Sequence, residues 1–327
     1  MRAAAFVAVM LTMNATPAAA QRCPFAPLAQ SGLPKVLVDH SASVSPDRRM
    51  LAFRSKLARD EDGMPTAYHR GFADDRPDPG ADHICVGGDV LELKAGKLVN
   101  KYASGGSVGD LRRAGGHSLQ CKRDCIAIRD ANFPACGPDL LCMRWYAVEV
   151  KPRSCGYDRP EQMGCGTPVL QRGKAGKELD YYLTANKLRR AGASGATLSQ
   201  SDYADASSVP FLALHGRLNY PTAQQPRVGD YAAVVVRGRV AFGVFGDIGP
   251  ATKLGEASRA LLRQLGRDTV EEGGAYTVLL PGSSQLASLG WPLTADAIRN
   301  GARFKLAAAM RIPDAELDGV LRACAAP

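Results

Sequence analysis

The chain has 327 residues, 46% of them hydrophobic and 22% charged, with a formal net charge of +9. That apolar share excludes disorder as the default state, and the length is enough for one large domain or two modest ones around a substantial core. The basic residues are spread over many short segments and no nucleic-acid motif accompanies them, so the charge suits acidic polymers or anionic surfaces and excludes nucleic acid as the expected partner.

In chain order, the first element is Arg2, the apolar run 3–13 and the small residues Ala18, Ala19 and Ala20. The run is too short to span a bilayer and a small-residue cleavage site follows it, so residues 1–20 read as a secretory signal peptide. A secreted or periplasmic protein is expected. No later segment is apolar over the ~18 residues a membrane helix needs, so no membrane insertion is expected either. Residues 21–46, rich in Pro, Ser and Ala, read as an N-terminal arm.

A domain over 47–305 follows. An apolar stretch at 50–57 leads into "RDEDGMPTAYHRG", where Asp62-Gly63 signals a turn and Pro65 forbids a helix. "HICVGGDVLEL" reads as two short strands around Gly87-Gly88. Residues 103–166 are rich in Gly, Arg and Cys and read as a stapled insertion outside the core, with "WYAVEV" its one strong strand. The runs "TPVLQ", "DYYLTANKL", "SVPFLALHG", "DYAAVVVRGRVAFGVFGD" and "AYTVLLPGS" each have strand length and turn residues at their ends, and Arg237-Gly238 marks a hairpin tip. Helical period begins only after Gly255. In "EASRALLRQLG" Ala257, Leu261, Leu262 and Leu265 share a face and Gly266 is the expected stop. Helices are also expected at "TADAIRN", capped by Thr294, and at "PDAELDGVLRACA" within a C-terminal segment 306–327. The fold class is therefore mostly β with a few helices: a small closed β-barrel bearing a disulfide-stapled insertion.

Nine cysteines, Cys23, Cys85, Cys121, Cys125, Cys136, Cys142, Cys155, Cys165 and Cys324, allow at most four disulfides and leave one thiol. Their gaps do not match zinc-ligand spacing.

Two carboxylates near each other in sequence raise a chemical question. Asp247 follows the alternating run "VAFGVF" at an expected strand end before Gly249-Pro250, and Glu256 falls in the expected first turn of a helix. Glycosidic hydrolysis needs one carboxylic acid and one carboxylate on fixed backbone, and this pair supplies them. A turn aspartate and a dipole-favoured helix-start glutamate account for the same residues without catalysis. A helix start would favour the ionised form of Glu256 and hence a base role. Asp60, Asp62, Tyr68 and His69 form a polar cluster suited to a sugar cleft or to a plain surface turn. Of Tyr181 and Tyr182, adjacent in a strand and so on opposite faces, at most one lines a cleft while the other packs; Tyr182 is taken as the sugar-stacking one.

These segments, in this order, resemble glycoside hydrolase family 75, the fungal-type chitosanases and their bacterial relatives. "DEDGMPTAYHRG" is similar to the family's Asp-x-Asp-Gly-x-Pro-x-x-Tyr-His segment, and "GTPVLQRGKAGKELDYYLTANKL" to its Pro-Val-x-Gln and Tyr-Tyr segment. "GDYAAVVVRGRVAFGVFGDIGPATKLGEAS" is similar to its strand pair with the Gly-Asp turn, here Gly229-Asp230, and the Gly-Glu-Ala-Ser start. The resemblance spans about residues 50–305. It implies endo-hydrolysis of β-1,4-linked glucosamine polymers with inversion, an acid/base pair at Asp247 and Glu256, and no metal or organic cofactor. Substrate contacts are expected from Asp60, Asp62, Tyr68, His69, Tyr182 and Asp230, in a monomer. The insertion at 103–166 has no counterpart in the fungal enzymes. The basic balance calls for a locally acidic cleft or for another amino-sugar polymer such as peptidoglycan, and a glycan-binding protein without catalysis is the reading of a different class.

Overall fold

The computed structural model describes residues 23–29, 34–70, 82–102, 117–153, 164–173, 176–194, 197–216, 218–249 and 254–326. The leader reading of residues 1–20, and Cys155, lie outside them. Six of the eight strands of the central sheet close on themselves: β1 (Leu51–Asp60), β2 (Phe211–His215), β3 (Tyr231–Val236), β4 (Arg239–Gly249), β5 (Glu256–Ser258) and β6 (Val270–Leu279). They pair in the order β1-β5-β2-β4-β3-β6, and β6 pairs back on β1, which closes the barrel. The β1–β5 and β2–β4 pairs are parallel and the other four antiparallel. The β3–β4 hairpin turns at Arg237 and Gly238, as their turn signal implied, and both have positive φ.

Alternation sorts the barrel residues onto two faces. Leu51, Phe53, Leu57, Leu212, Leu214, Val234, Phe245, Ala257 and Leu279 belong to one buried cluster that fills the barrel. Helix α2 (Arg259–Gln264) adds Leu261 and Leu262 to it and stops before Gly266 at φ +67°. The alternate residues Ala52, Phe211, Ala233, Val235, Val244 and Val278 join a second cluster outside the barrel. Over that face pack α3 (Ala295–Met310), capped by Thr294, and α4 (Asp314–Ala325); α3 runs on to Met310, past the start at 306 expected for the C-terminal helix, which begins only at Asp314. Strand β3 is buried on both faces, and its run of Ala and Val reflects this.

The insertion is not the peripheral elaboration expected of it. A helix, α1 (His117–Asp130), lies inside it, and Cys121, Cys125, Ile128, Phe133 and Trp145 are buried in the same cluster as the barrel's outer face. Strands Cys142–Trp145 and Val150–Arg153 bracket "WYAVEV" instead of running through it. The Asp89–Arg144 ion pair, between cross-strand partners, is buried. Disulfides join Cys23 to Cys324, Cys85 to Cys125 and Cys136 to Cys142, and Cys165 is also disulfide-bonded. Cys121 is the free thiol among the described residues, and burial pushes it up to about 12. The first bridge ties the N-terminal arm to α4. Among the described residues, no helix is long and apolar enough to cross a membrane.

Candidate functional site

A one-residue irregularity in β4 turns Asp247 outward. Phe245 pairs with Leu212, but the next partner along, Ala213, pairs with Asp247, so Gly246 is an extra residue. Phe245 faces the barrel interior and Ile248 packs against the same interior cluster. Without the bulge, strict alternation would send Asp247 inward with Phe245. Glycine is required at the bulge, because a Cβ on Gly246 would stand 2.4 Å from Phe211 Cβ and 2.7 Å from Leu188 Cδ1.

Glu256 is not in a helix. It opens β5, and Ser258 is the N-cap of α2, accepting from Leu261 N at 3.2 Å. The helix-dipole argument for Glu256 therefore fails: the residue lies two positions before the cap, in a ladder between β2 and β1. There it stands opposite Ala213 on one side and Ala58 on the other. Asp247 and Glu256 thus flank the same small residue, Ala213, on one outward face. The Glu256 carboxyl reaches over Ala213 toward Gly249, where a Cβ would come 3.0 Å from Oε2. Gly249 is two residues beyond Asp247, about 6.7 Å along the strand.

Asp60, Asp62 and Tyr68 of the cluster expected at 60–69 converge on the same place. Asp60 ends β1 opposite Ser258 of β5, and one carboxylate oxygen each of Asp60, Asp62 and Asp247 lie within 4.8 Å of one another. Asp62 N donates to Asp60 Oδ1 at 2.9 Å, and Tyr68 Oη donates to Asp62 Oδ1 at 2.7 Å. Gly63 has φ +90°, and a Cβ there would meet Asn186 Nδ2 at 2.1 Å. Its N–H donates to Thr184 Oγ1, while Asn186 Nδ2 donates to Asp62 O at 2.9 Å and to Ala204 O at 2.7 Å. The segment 184–188 is thereby fastened to the Asp62 turn, and it roofs the site.

Burial governs the electrostatics. It pushes the Asp247 carboxyl up to about 7, against the Lys187 charge and the N–H groups of Ile248 and Lys187; the Glu256 charge pushes it further up. Burial also raises Asp60 well above the usual carboxylate range, helped by the charges of Asp62, Asp247 and Glu256 and opposed by the Asp62 N–H. Tyr146, in the insertion, is raised by burial and then by the charges of Asp89, Asp62 and Glu256, and keeps its proton. Val148 bridges to Thr184 and Ala185 N donates to Ala147 O, which moors the insertion to the roof segment.

Three expected contacts fall elsewhere. Tyr182 is 5% exposed and packs in the core, because alternation turns its neighbour Tyr181 outward instead; Tyr181 meets His69 edge-on at 5.0 Å between ring centroids. His69 sits with Tyr181 in a separate small sheet, on the strand position after Tyr68 and so on the opposite face. Asp230 is fully buried and accepts from Arg227 N at 2.7 Å and Ser284 N at 2.9 Å, locking two loops together. Lys187, Asn186 and Tyr146 went unseen in the sequence: a lone Lys, Asn or Tyr in an irregular segment carries no spacing signal. The sulfur atoms of Cys136, Cys142 and Cys165 form another close donor group, but all three are disulfide-bonded and lack the thiolate that a metal needs.

Compared with models of known protein families and with curated protein sequences, the chain matches none.

Proposed function

We propose that the protein is an exported endo-glycosidase of chitosanase type that hydrolyses β-1,4 linkages of an amino-sugar polysaccharide with inversion. The observation that carries this reading is the pair Asp247 and Glu256 on one outward face across Ala213, beside an acidic cluster in a basic protein. Asp247, pushed up to about 7, holds a proton near neutrality and is the acid that protonates the leaving glycosidic oxygen. Glu256 is then the base that takes a proton from the attacking water. Asp60, Asp62, Asp247 and Glu256 form the locally acidic cleft that a cationic amino-sugar chain requires. Disulfides and the leader-like start support a secreted or periplasmic location.

One observation favours a second mechanism. Asp60 and Asp247, within 4.8 Å, approach the roughly 5–5.5 Å separation of retaining pairs. A reducing-end assay on chitosan, chitin and peptidoglycan, with NMR of the first product's anomeric proton, tests both. New reducing ends that appear as the α-anomer support inversion, the β-anomer supports retention, and polymer binding without new ends removes the hydrolase reading.

A further inference from the structure

We propose a second binding site, remote from the carboxylates: the cavity between the N-terminal arm and the barrel takes a medium-chain aliphatic carboxylate, with its head on Arg54. The cavity measures about 390 Å³, within the range of pockets that hold small organic ligands. Its walls come from separate parts of the chain. The arm supplies Leu28, the short helix Lys35–Asp39 supplies Val38, and the segment after it supplies Ala42 and Ser43. From the barrel come Arg54 of β1 and Tyr276 of β6, which are cross-strand partners. The Cys23–Cys324 bridge lines the cavity as well and holds the arm against it. Arg54 lies six residues before Asp60 on β1, about 20 Å along the strand, so the cavity is separate from the acidic cleft.

The chemistry of the walls selects the ligand. Among the described residues that line the cavity, Arg54 is the one charged group. Its Nη2 donates to Ala325 O at 2.8 Å and to Ala326 O at 2.9 Å, and its guanidinium stands over the Tyr276 ring, 5.4 Å from the centroid. A guanidinium has five N–H donors, and these partners are neutral. They hold the fork in place without cancelling its charge, which suits it to a carboxylate. Ser43 and Tyr276 add hydroxyl-bearing side chains to the same lining. The rest is largely apolar, with Leu28, Val38 and Ala42 among it, and would leave the hydroxyls of a sugar unpaired while it buries methylenes well. An anionic head on an aliphatic tail satisfies both kinds of wall.

Calorimetric titration of the full, disulfide-intact chain with hexanoate, octanoate and decanoate tests the site. One ligand should bind per chain, about fourfold tighter for each added CH₂ until the cavity is full. Octanol, which lacks the charge, should bind at least about tenfold more weakly than octanoate. Arg54→Met should weaken octanoate by a similar factor and leave octanol unchanged, whereas Val38→Trp, which fills the cavity, should abolish binding of both. Circular dichroism checks each variant; should Arg54→Met fail to fold, the octanoate and octanol comparison in the wild type and the Val38→Trp variant decide the matter. Absence of saturable binding, equal affinity for octanoate and octanol, or full octanoate affinity in folded Val38→Trp overturns the proposal. None of these readouts uses polysaccharide cleavage, so the site stands or falls apart from the hydrolase reading.

Discussion

Replacing Asp247 by Asn should make the fold more stable as the pH rises, while removing its chemistry. The folded carboxyl is pushed from 3.8 to about 7, chiefly by burial. Between those values the folded state binds more protons than the unfolded chain, so this group stabilises the fold at low pH and loses that contribution as the pH climbs through the window. At 1.36 kcal/mol per unit, about three units give about 4 kcal/mol, an upper figure because Asp60 shares the coupling. The amide of Asn can still accept from Ile248 N, so the local bonding survives. Urea unfolding of disulfide-intact wild type and Asp247→Asn from pH 4 to pH 9 reads the difference directly. The two stabilities should be close at pH 4, and the variant should gain up to about 4 kcal/mol by pH 8. Parallel curves across the range would show that Asp247 is not held protonated by its surroundings.

Other substitutions test the scaffold. Tyr68→Phe removes the 2.7 Å bond to Asp62 and should lower stability by about 1–2 kcal/mol in thermal unfolding; an unchanged midpoint would mean the turn holds Asp62 without it. Gly255→Ala, at φ +107° with a Cβ only 1.9 Å from Lys56 O, should lower stability by more than about 3 kcal/mol and displace Glu256, and a wild-type melting temperature would contradict the tight β1–β5 approach. Cys324→Ser opens a bridge spanning 301 residues and should lower unfolding stability by about 4–5 kcal/mol, whereas equal midpoints for variant and wild type would deny the arm any anchoring role.

The barrel was legible because its strands are apolar or alternating runs ended by turn residues, and the β3–β4 hairpin even showed its Arg237-Gly238 tip. Helix α1 was not, although Cys121, Cys125 and Ile128 recur at helical spacing on its buried side. Cysteines counted only as staples hide the fact that they also pack as small apolar groups. Glu256 was misplaced because three residues of strand running into a capped helix look like the helix itself. The convergence of Asp60 and Asp62 on Asp247 depends on parallel pairings between distant segments and on the bulge at Gly246, neither of which leaves a mark on local spacing. Tyr182 and Asp230 show the opposite error: a polar group with a plausible surface role turned out to be the most buried choice at its position.

The acid/base pair is tested most directly by chitosan cleavage by Asp247→Asn and Glu256→Gln beside the wild type, with folding of each checked by circular dichroism. The wild type should generate reducing ends, and the two folded variants should each be slower by about 10²–10⁴-fold. Wild-type rates in either folded variant would contradict the pair.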